Sequence, residues 1–407
     1  MNYGLLGRKL SHSYSPLIHN YFGNQSYDLF EVEPDSLGDF LRSNPFQGIN
    51  VTIPYKKDVI PYCHELSPIA KRLGAVNTIV RTQNRTLYGH NTDYFGFQYM
   101  LNKSGLSVAD KKVLVLGSGG ASVTVKAVLE DHGANVTVIS RSGQNNYGNI
   151  NIHADASVIV NTTPVGMYPH NGTSPIDISI FPALDGILDL IYNPARTKLI
   201  MDAEARGLIA MSGLWMLVAQ AYEAARLFAV SEISPNQITQ IHNQIYKQMQ
   251  NRILIGMPGS GKSTLGRLLA NATGREFVDA DMKIEEYANM PIPEIFEKYG
   301  EAYFRKIETE VLTNLCKESG LVIATGGGCV TRTDNYPLLH QNGIIYWIQR
   351  DVNSLPTDGR PLSQNNSLHR MFQERKPLYE KFSDFTIENN GQISQTLQHI
   401  LALEDNI

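Results

Sequence analysis

The apolar positions of this 407-residue chain alternate between two rhythms. Short runs rich in apolar residues, such as those at 3–7, 27–32, 48–53, 113–116 and 135–139, have the length of strands. Between them apolar residues recur at helical spacing, as in the stretch that starts near Pro16 and in the one from Gly213 through Gln220. The alternation continues through strands at 252–255, 276–279, 322–325 and 344–348. A chain that alternates in this way builds parallel sheets covered by helices, so the expected class is α/β. Polar residues gather where the strands end, which is where open α/β sheets keep their ligands.

Composition narrows the partners. At 42% hydrophobic and 18% charged residues the chain is ordinary globular material, long enough for more than one core. A formal charge of -4 and a pI near 6.3, without a dense Lys/Arg run, speak against nucleic acid or an anionic membrane and for small molecules. Met1-Asn2-Tyr3 runs straight into a strand pattern with no basic-then-apolar leader, and no apolar run approaches a bilayer span. A cytoplasmic protein is therefore expected, and a monomer is one reading of its assembly that the pattern leaves open. Cys63, Cys316 and Cys329 lie far apart, lack metal-ligand spacing, and read as buried free thiols.

The stretch Arg252-Ile-Leu-Ile-Gly-Met-Pro-Gly-Ser-Gly-Lys-Ser-Thr264 changes the picture most. It reads as strand, glycine turn and helix, with Leu265, Leu268 and Leu269 at helical period. Its spacing is that of a phosphate cradle. Gly256, Gly259 and Gly261 let backbone N–H groups converge on phosphate oxygens, and the helix N-terminus adds its positive end. Lys262 is placed to reach the β and γ phosphates, and Ser263 to hold Mg²⁺ through its hydroxyl. Gly259, Ser260, Gly261, Lys262, Ser263 and Thr264 are thus expected to bind a purine nucleoside triphosphate. A turn that merely joins strand to helix is the structural alternative.

The other candidate stretches are weak singly. Ser11-His-Ser-Tyr-Ser-Pro16 suits an N-cap and turn as well as a carboxylate site. The strand from Gly48 ends in a polar tip with Thr52 and Lys56, Gly74-Ala-Val-Asn77-Thr reads as another strand, and Asp93 follows Gly89-His-Asn91-Thr as a first-turn carboxylate. Val113-Leu-Val-Leu-Gly-Ser-Gly-Gly-Ala121 reads as a dinucleotide turn, with Gly117 making the bend and Gly119 admitting a pyrophosphate. Later, Asp279 and Asp281 end a strand as a carboxylate pair, and Arg305 and Glu308 share a helix face. Gly326, Gly327 and Gly328 close a further strand.

In their order, Ser13-x-Ser15, Asn50-Val-Thr52-x-Pro-x-Lys56, Gly74-Ala-Val-Asn77-Thr and Asn91-Thr-Asp93 resemble the shikimate dehydrogenase family over about residues 1–249. The resemblance implies a substrate domain at 1–103 completed by 213–249, and a Rossmann-like NADP domain at 104–212. It implies that Ser13 and Ser15 bind a ring carboxylate, and that Thr52, Asn77, Tyr192 and Gln220 hold hydroxyls and the ring. Lys56 would be the acid/base for reduction of a ketone, with Asp93 as its positioning partner. Cofactor contacts would fall on Gly117, Ser118, Gly119, Gly120 and Ala121, on Ser140, Arg141 and Ser142, and on Leu190 and Gly213. An arginine after the second strand suits a ribose 2′-phosphate, which favours NADP(H) over NAD.

The second half, with Asp279-x-Asp281, Phe304-Arg305-x-x-Glu308, the triple glycine and Arg375-Lys-Pro-Leu-Tyr379, resembles shikimate kinase over residues 252–404. This implies a P-loop kinase domain at 251–407, of nucleoside-monophosphate-kinase-like α/β fold, using ATP and Mg²⁺. Asp281, Arg305, Gly327 and Arg375 would bind shikimate, with Asp281 orienting a hydroxyl. Lys262, Arg360, and Ser263 and Asp279 through the metal would stabilise the transferred phosphoryl group. No basic residue stands between Arg350 and Arg360, where the family has one against adenine, which implies a weak hold on ATP. The expectation is a fused enzyme that reduces 3-dehydroshikimate to shikimate and phosphorylates the product. A quinate-directed first half, or one half kept as a non-catalytic ligand-binding module, are the alternatives.

Overall fold

The structure, a computed structural model, describes residues 2–10, 13–24, 26–230, 233–355 and 368–405. The chain divides into two compact units. The first comprises Met1–Met167, Thr173–Tyr192 and Leu199–Ile245; the second comprises Tyr168–Gly172, Asn193–Lys198 and Tyr246–Ile407. Both are α/β, as the alternating pattern implies.

The first unit holds two sheets. One is built from β1 (Asn2–Gly7), β2 (Tyr27–Glu31), β3 (Phe46–Val51), β4 (Glu65–Leu66), β5 (Thr78–Arg81) and β6 (Leu87–His90), in the order β2-β1-β3-β5-β6-β4. β1 runs parallel to β2 and β3, whereas β5 is antiparallel to β3 and β6. Leu6, Phe46, Ile49, Val76 and Ile79 are buried in its core, and β3 is buried at every position but Gln47. Its helices are α1 (Ser15–Tyr21), α2 (Leu37–Ser43), α3 (Pro68–Leu73) and α4 (Asp93–Ser104). Ser67 caps α3 by accepting the Ala70 N–H, and Gly74 closes it in the left-handed region at φ +61. Of the strand read at 74–78 only Thr78 is in β5, which runs on to Arg81, because Gly74 serves as the helix exit.

The second sheet has β7 (Lys112–Leu116), β8 (Asn135–Ile139), β9 (Val158–Asn161), β10 (Gly186–Asp189) and β11 (Ile209–Ser212), ordered β11-β10-β9-β7-β8 and wholly parallel. α5 (Gly120–Asp131) and α6 (Lys198–Ala205) accompany it. α7 (Leu214–Leu227) returns against α4, where Gly96 permits a close crossing: a Cβ there would lie 2.7 Å from the Met216 carbonyl oxygen. α8 (Asn236–Met249) is separated from the next strand by Gln250 alone.

The second unit carries one parallel sheet of β12 (Asn251–Ile255), β13 (Glu276–Asp279), β14 (Leu321–Ala324), β15 (Gly343–Gln349) and β16 (Phe385–Glu388), ordered β13-β14-β12-β15-β16. Its helices are α9 (Lys262–Thr273), α10 (Ala280–Ala288), α11 (Ile292–Leu315), α12 (Asn335–His340), α13 (Leu368–Phe382) and α14 (Ile393–Asp405). α11 breaks at Gly300, whose φ is 78. Ile253, Ile323, Ile345 and Trp347 pack on one face of the sheet, and Leu254, Leu265, Leu269 and Val322 on the other. The strand pattern gave no sign of the ion pair beneath it. Arg252 is fully buried, and its guanidinium holds both carboxylate oxygens of Glu404 on α14.

Candidate active sites

In the first unit β3 ends at Val51, and the chain turns through Thr52 and Pro54 to deliver Lys56 into a cleft of about 510 Å³. α4 begins at Asp93, so its first-turn carboxylate faces the same space. Lys56 Nζ donates to Asp93 Oδ2 at 2.6 Å, with the side chains 28% and 13% exposed. An ammonium and a carboxylate so sheltered interact more strongly than a pair in open water. Ser13, Ser15, Thr52, Asn77, Tyr192 and Gln220 line the same cleft, so the structure gathers every residue that the sequence marks for the ring. Burial raises the pKa of the Tyr192 phenol, which lies edge-on to Tyr14 with centroids 6.0 Å apart.

Behind these groups runs a buried polar chain of which the sequence reading gave a role to Asn77 alone. Tyr27 OH donates to Asn50 Oδ1 at 2.7 Å, and Asn50 Nδ2 donates to Thr78 Oγ1 at 3.0 Å. Asn77 Nδ2 donates to Thr92 Oγ1 at 3.0 Å, while its Oδ1 accepts the Thr92 N–H at 2.6 Å. With its amide used on both sides, Asn77 is held in one orientation. The one sequence signal was a set of polar residues inside otherwise apolar strand runs.

The cofactor turn sits between β7 and α5. Gly117 has φ +103, and a Cβ there would lie 2.9 Å from Thr162 Oγ1, so the bend requires glycine. Ser118, Gly119 and Gly120 are exposed, and a Cβ on either glycine would meet nothing within 4 Å. That open space before a helix N-terminus fits a pyrophosphate. Ala121, Leu190 and Gly213 line the cleft with Lys56, which brings the cofactor turn to the substrate groups. Gly213 is pressed on Leu190, where a Cβ would come within 2.0 Å of the carbonyl oxygen. Ser140, Arg141 and Ser142 follow β8, the neighbour of β7; Arg141 is exposed and pairs with no carboxylate among the described residues.

The second unit has its own cleft, of about 690 Å³, lined by Gly259, Gly261, Lys262, Ser263 and Thr264 of the cradle. Gly256, Gly259 and Gly261 have φ of +144, +82 and +96, which explains the glycine at each. Lys262 Nζ donates to the carbonyls of Gly256 and Met257 at 2.9 and 3.0 Å. Ser260 differs from its neighbours: it is fully buried and does not line the cleft, its hydroxyl has no hydrogen-bond partner among the described residues, and its N–H bonds to Met257 O at 3.1 Å. Ser263 Oγ donates to Asp279 Oδ2 at 2.7 Å, placing side by side the hydroxyl and carboxylate expected around Mg²⁺. These are hard oxygen donors of the kind Mg²⁺ takes.

Asp281, Arg305, Gly327 and Arg375 also line this cleft. Asp281 Oδ1 and Glu308 Oε1 flank Gly326, where a Cβ would lie 2.7 Å from each, and both oxygens are buried without a protein partner. Burial raises the pKa of both carboxyls, although Lys262 and Arg305 pull that of Asp281 down and Arg305 pulls that of Glu308 down. Two orphaned carboxylate oxygens in a cleft wall fit a hydroxylated ligand. Arg305 donates to Glu308 Oε2 at 2.8 Å and to Glu301 Oε1 at 3.1 Å, and Arg375 Nη1 donates to Gly327 O at 3.1 Å. Arg360 lies outside the described residues. The three cysteines are free, but Cys63 is half-buried rather than buried as expected; burial pushes Cys63 to about 11 and Cys316 and Cys329 to about 12, so none is a ready nucleophile.

A parallel-sheet dinucleotide turn meeting a Lys–Asp cleft, followed by a phosphate cradle meeting an acidic cleft, defines a dehydrogenase joined to a P-loop kinase. Comparison with known proteins gives the families. Residues 5–79 match the model of the shikimate dehydrogenase substrate binding domain, and residues 258–404 that of shikimate kinase. The shikimate dehydrogenase (NADP(+)) of Clostridium beijerinckii is 37% identical over 258 residues, covering 58% of this chain and 95% of the relative. Among solved structures, a chorismate mutase/shikimate 5-dehydrogenase fusion protein from Clostridium acetobutylicum is 35% identical with a TM-score of 0.56, covering 60% of this chain and 96% of that one. Shikimate 5-dehydrogenase from Thermus thermophilus, in complex with NADP(H) and shikimate, is 30% identical with a TM-score of 0.55, covering 60% and 99%. The chain belongs to the shikimate dehydrogenase family, with a shikimate kinase unit fused behind the dehydrogenase. It is a bifunctional enzyme of the shikimate pathway, using NADP(H) in its first half and ATP with Mg²⁺ in its second.

Proposed function

We propose that the first unit reduces 3-dehydroshikimate to shikimate, and that the second transfers a phosphoryl group to the 3-hydroxyl of shikimate. The carrying observation is the Lys56–Asp93 pair at 2.6 Å in a hydroxyl-lined cleft that also receives the cofactor turn. Bound NADPH supplies the hydride. Lys56 gives the proton that the carbonyl oxygen needs, and Asp93 holds the ammonium in place. Ser13 and Ser15 bind the carboxylate, while Thr52, Asn77, Tyr192 and Gln220 fix the ring. Residues 1–103 with 213–249 form the substrate lobe and 104–212 the NADP lobe.

In the kinase unit, 251–407, bound ATP supplies the phosphoryl group. Asp281 accepts the proton of the attacking hydroxyl, the reading best supported by its buried, unpartnered Oδ1. Arg305 and Arg375 take the substrate carboxylate near Gly327. Lys262 and Arg360 stabilise charge on the transferred group, and Ser263 and Asp279 hold the metal. The test supplies the intact chain with 3-dehydroshikimate, NADPH and ATP-Mg²⁺ and follows shikimate 3-phosphate. Its formation without added enzyme supports both assignments; oxidation of NADPH with no phosphorylated product defeats the kinase half.

A further inference from the structure

Neither member of the Lys56–Asp93 pair sits in the middle of a regular element, so their spacing depends on what anchors the chain around them. Lys56 is tied through its backbone: its carbonyl accepts the Val76 N–H at 2.7 Å, and Val76 lies just past Gly74, the exit of α3. Asp93 is the first residue of α4, with Tyr94 beside it. Asn91 joins the two segments, since its Nδ2 donates to Ala75 O at 3.0 Å and its Oδ1 accepts the Tyr94 N–H at 3.3 Å.

Both segments meet at one side chain on a third helix. Asp131, the last residue of α5, takes Arg72 of α3 in a two-pronged pair, Nη1 to Oδ2 at 2.7 Å and Nη2 to Oδ1 at 2.9 Å. Its Oδ2 also accepts the Tyr94 hydroxyl at 2.6 Å. α5 is the helix that begins at the cofactor turn, at Gly120. Ala70 of α3 belongs to the core of the first sheet, whereas Val125, Val128 and Leu129 of α5 belong to that of the second, so the Asp131 carboxylate bridges two cores. The Arg72 bonds, and after them the Tyr94 bond, hold the Asp131 carboxyl down at about 2. Burial, then the bond to Asp131, raises the Tyr94 phenol to about 12. The carboxylate therefore stays charged and the hydroxyl protonated across neutral pH. As an ion pair with side chains 46% and 34% exposed, Arg72–Asp131 adds little stability. What it adds is geometry, because two parallel N–H···O bonds fix direction as well as distance.

We propose that Asp131 is a positioning residue for the reduction: by joining Arg72 and Tyr94 it sets the segments that carry Lys56 and Asp93 against the helix that carries the cofactor turn. This rests on the dehydrogenase reading above, and Asp131 acts from outside the cleft. The intact chain is assayed as parent, Asp131→Ala, Asp131→Asn, Tyr94→Phe and Asp155→Ala, the last removing an ion pair with Lys112 that also stands outside the cleft. Turnover and Michaelis constants for 3-dehydroshikimate and NADPH are read beside shikimate phosphorylation and the melting temperature. Asp131→Ala is expected to lower kcat about tenfold, part of the roughly 10²-fold that an ångström of misplacement costs. Both Michaelis constants should stay within about twofold of the parent, since no binding group is removed. Asp131→Asn keeps the shape without the charge and should lose less, Tyr94→Phe should lose about threefold, and Asp155→Ala and phosphorylation should match the parent. A merely structural role would lower the melting temperature and leave the kcat of the folded enzyme unchanged.

Parent kcat in folded Asp131→Ala overturns the proposal, and so does a loss confined to the Michaelis constants or one that Asp155→Ala reproduces. If Asp131→Ala does not fold, Asp131→Asn and Tyr94→Phe decide by the same readings. A parent chain that reduces 3-dehydroshikimate while Asp131→Ala turns over equally fast defeats the inference and leaves the proposed function standing. If the parent acts on quinate instead, the proposed substrate fails, and the same fall in kcat read on quinate oxidation still supports Asp131.

Discussion

Glu404→Gln is expected to destabilise the kinase unit severely, although Glu404 lines neither of the two clefts. Arg252, on the central strand, is fully buried, and Glu404 is 4% exposed. The Arg252 guanidinium uses Nε and Nη2 on the Glu404 carboxylate and Nη1 on Gln250 O at 2.9 Å, and Tyr346 OH adds a bond to Glu404 at 3.0 Å. Glutamine keeps the shape and one acceptor but leaves a buried guanidinium without its counter-charge. Removing one partner of such a pair costs about 3–5 kcal/mol. For a domain of this size that lowers the melting midpoint by roughly 10 °C.

The assay is urea unfolding read by Trp347 fluorescence in a Trp215→Phe background, since the chain has two tryptophans. The pH dependence has a defined sign. Burial pushes the Glu404 carboxyl up, but the Arg252 hydrogen bond and charge pull it net below its usual 4.5. A depressed carboxylate stabilises fully above its unfolded value and loses that contribution as pH falls through its folded one. The gap between parent and Glu404→Gln should therefore be constant above pH 4.5 and shrink below it. A loss under about 1 kcal/mol, the scale of an exposed pair, would refute the reasoning.

Lys56→Met should cut reduction of 3-dehydroshikimate by about 10²–10⁴ while sparing shikimate phosphorylation, and Asp281→Asn should do the reverse. NADPH absorbance and ADP release measure the two, and loss of both activities in one folded variant contradicts separate sites. Arg141→Ala should raise the Michaelis constant for NADPH by the equivalent of about 1.5–3 kcal/mol and leave that for NADH nearly unchanged; similar constants for both cofactors in the parent would remove Arg141 from this role. Because burial raises the Asp281 pKa above 3.8 and its ionised form is the one that accepts a proton, kinase kcat/KM should fall on the acid side through a value above 3.8. An acid limb at or below the ordinary aspartate range would point to another base.

What the sequence determined is what local chemistry dictates. The cradle at 256–264 was legible because backbone N–H convergence, positive φ at Gly256, Gly259 and Gly261, and the helix start at Lys262 are all set within one turn of chain. The strand and helix alternation followed from apolar period alone, and the paired carboxylates at Asp279 and Asp281 from their place at a strand end.

What only the tertiary structure decided involves partners far apart in sequence. Thr92 meets Gln220 across 128 positions and Arg252 meets Glu404 across 152; Lys56 and Asp93, 37 positions apart, are paired through the family resemblance and by no local pattern. Arg350 shows the same division, since its sequence neighbours say nothing of the cradle that its guanidinium touches at Gly259. The physical reason is that a strand pattern specifies which face is apolar, whereas burial of a charge becomes favourable only once folding brings its counter-group to it.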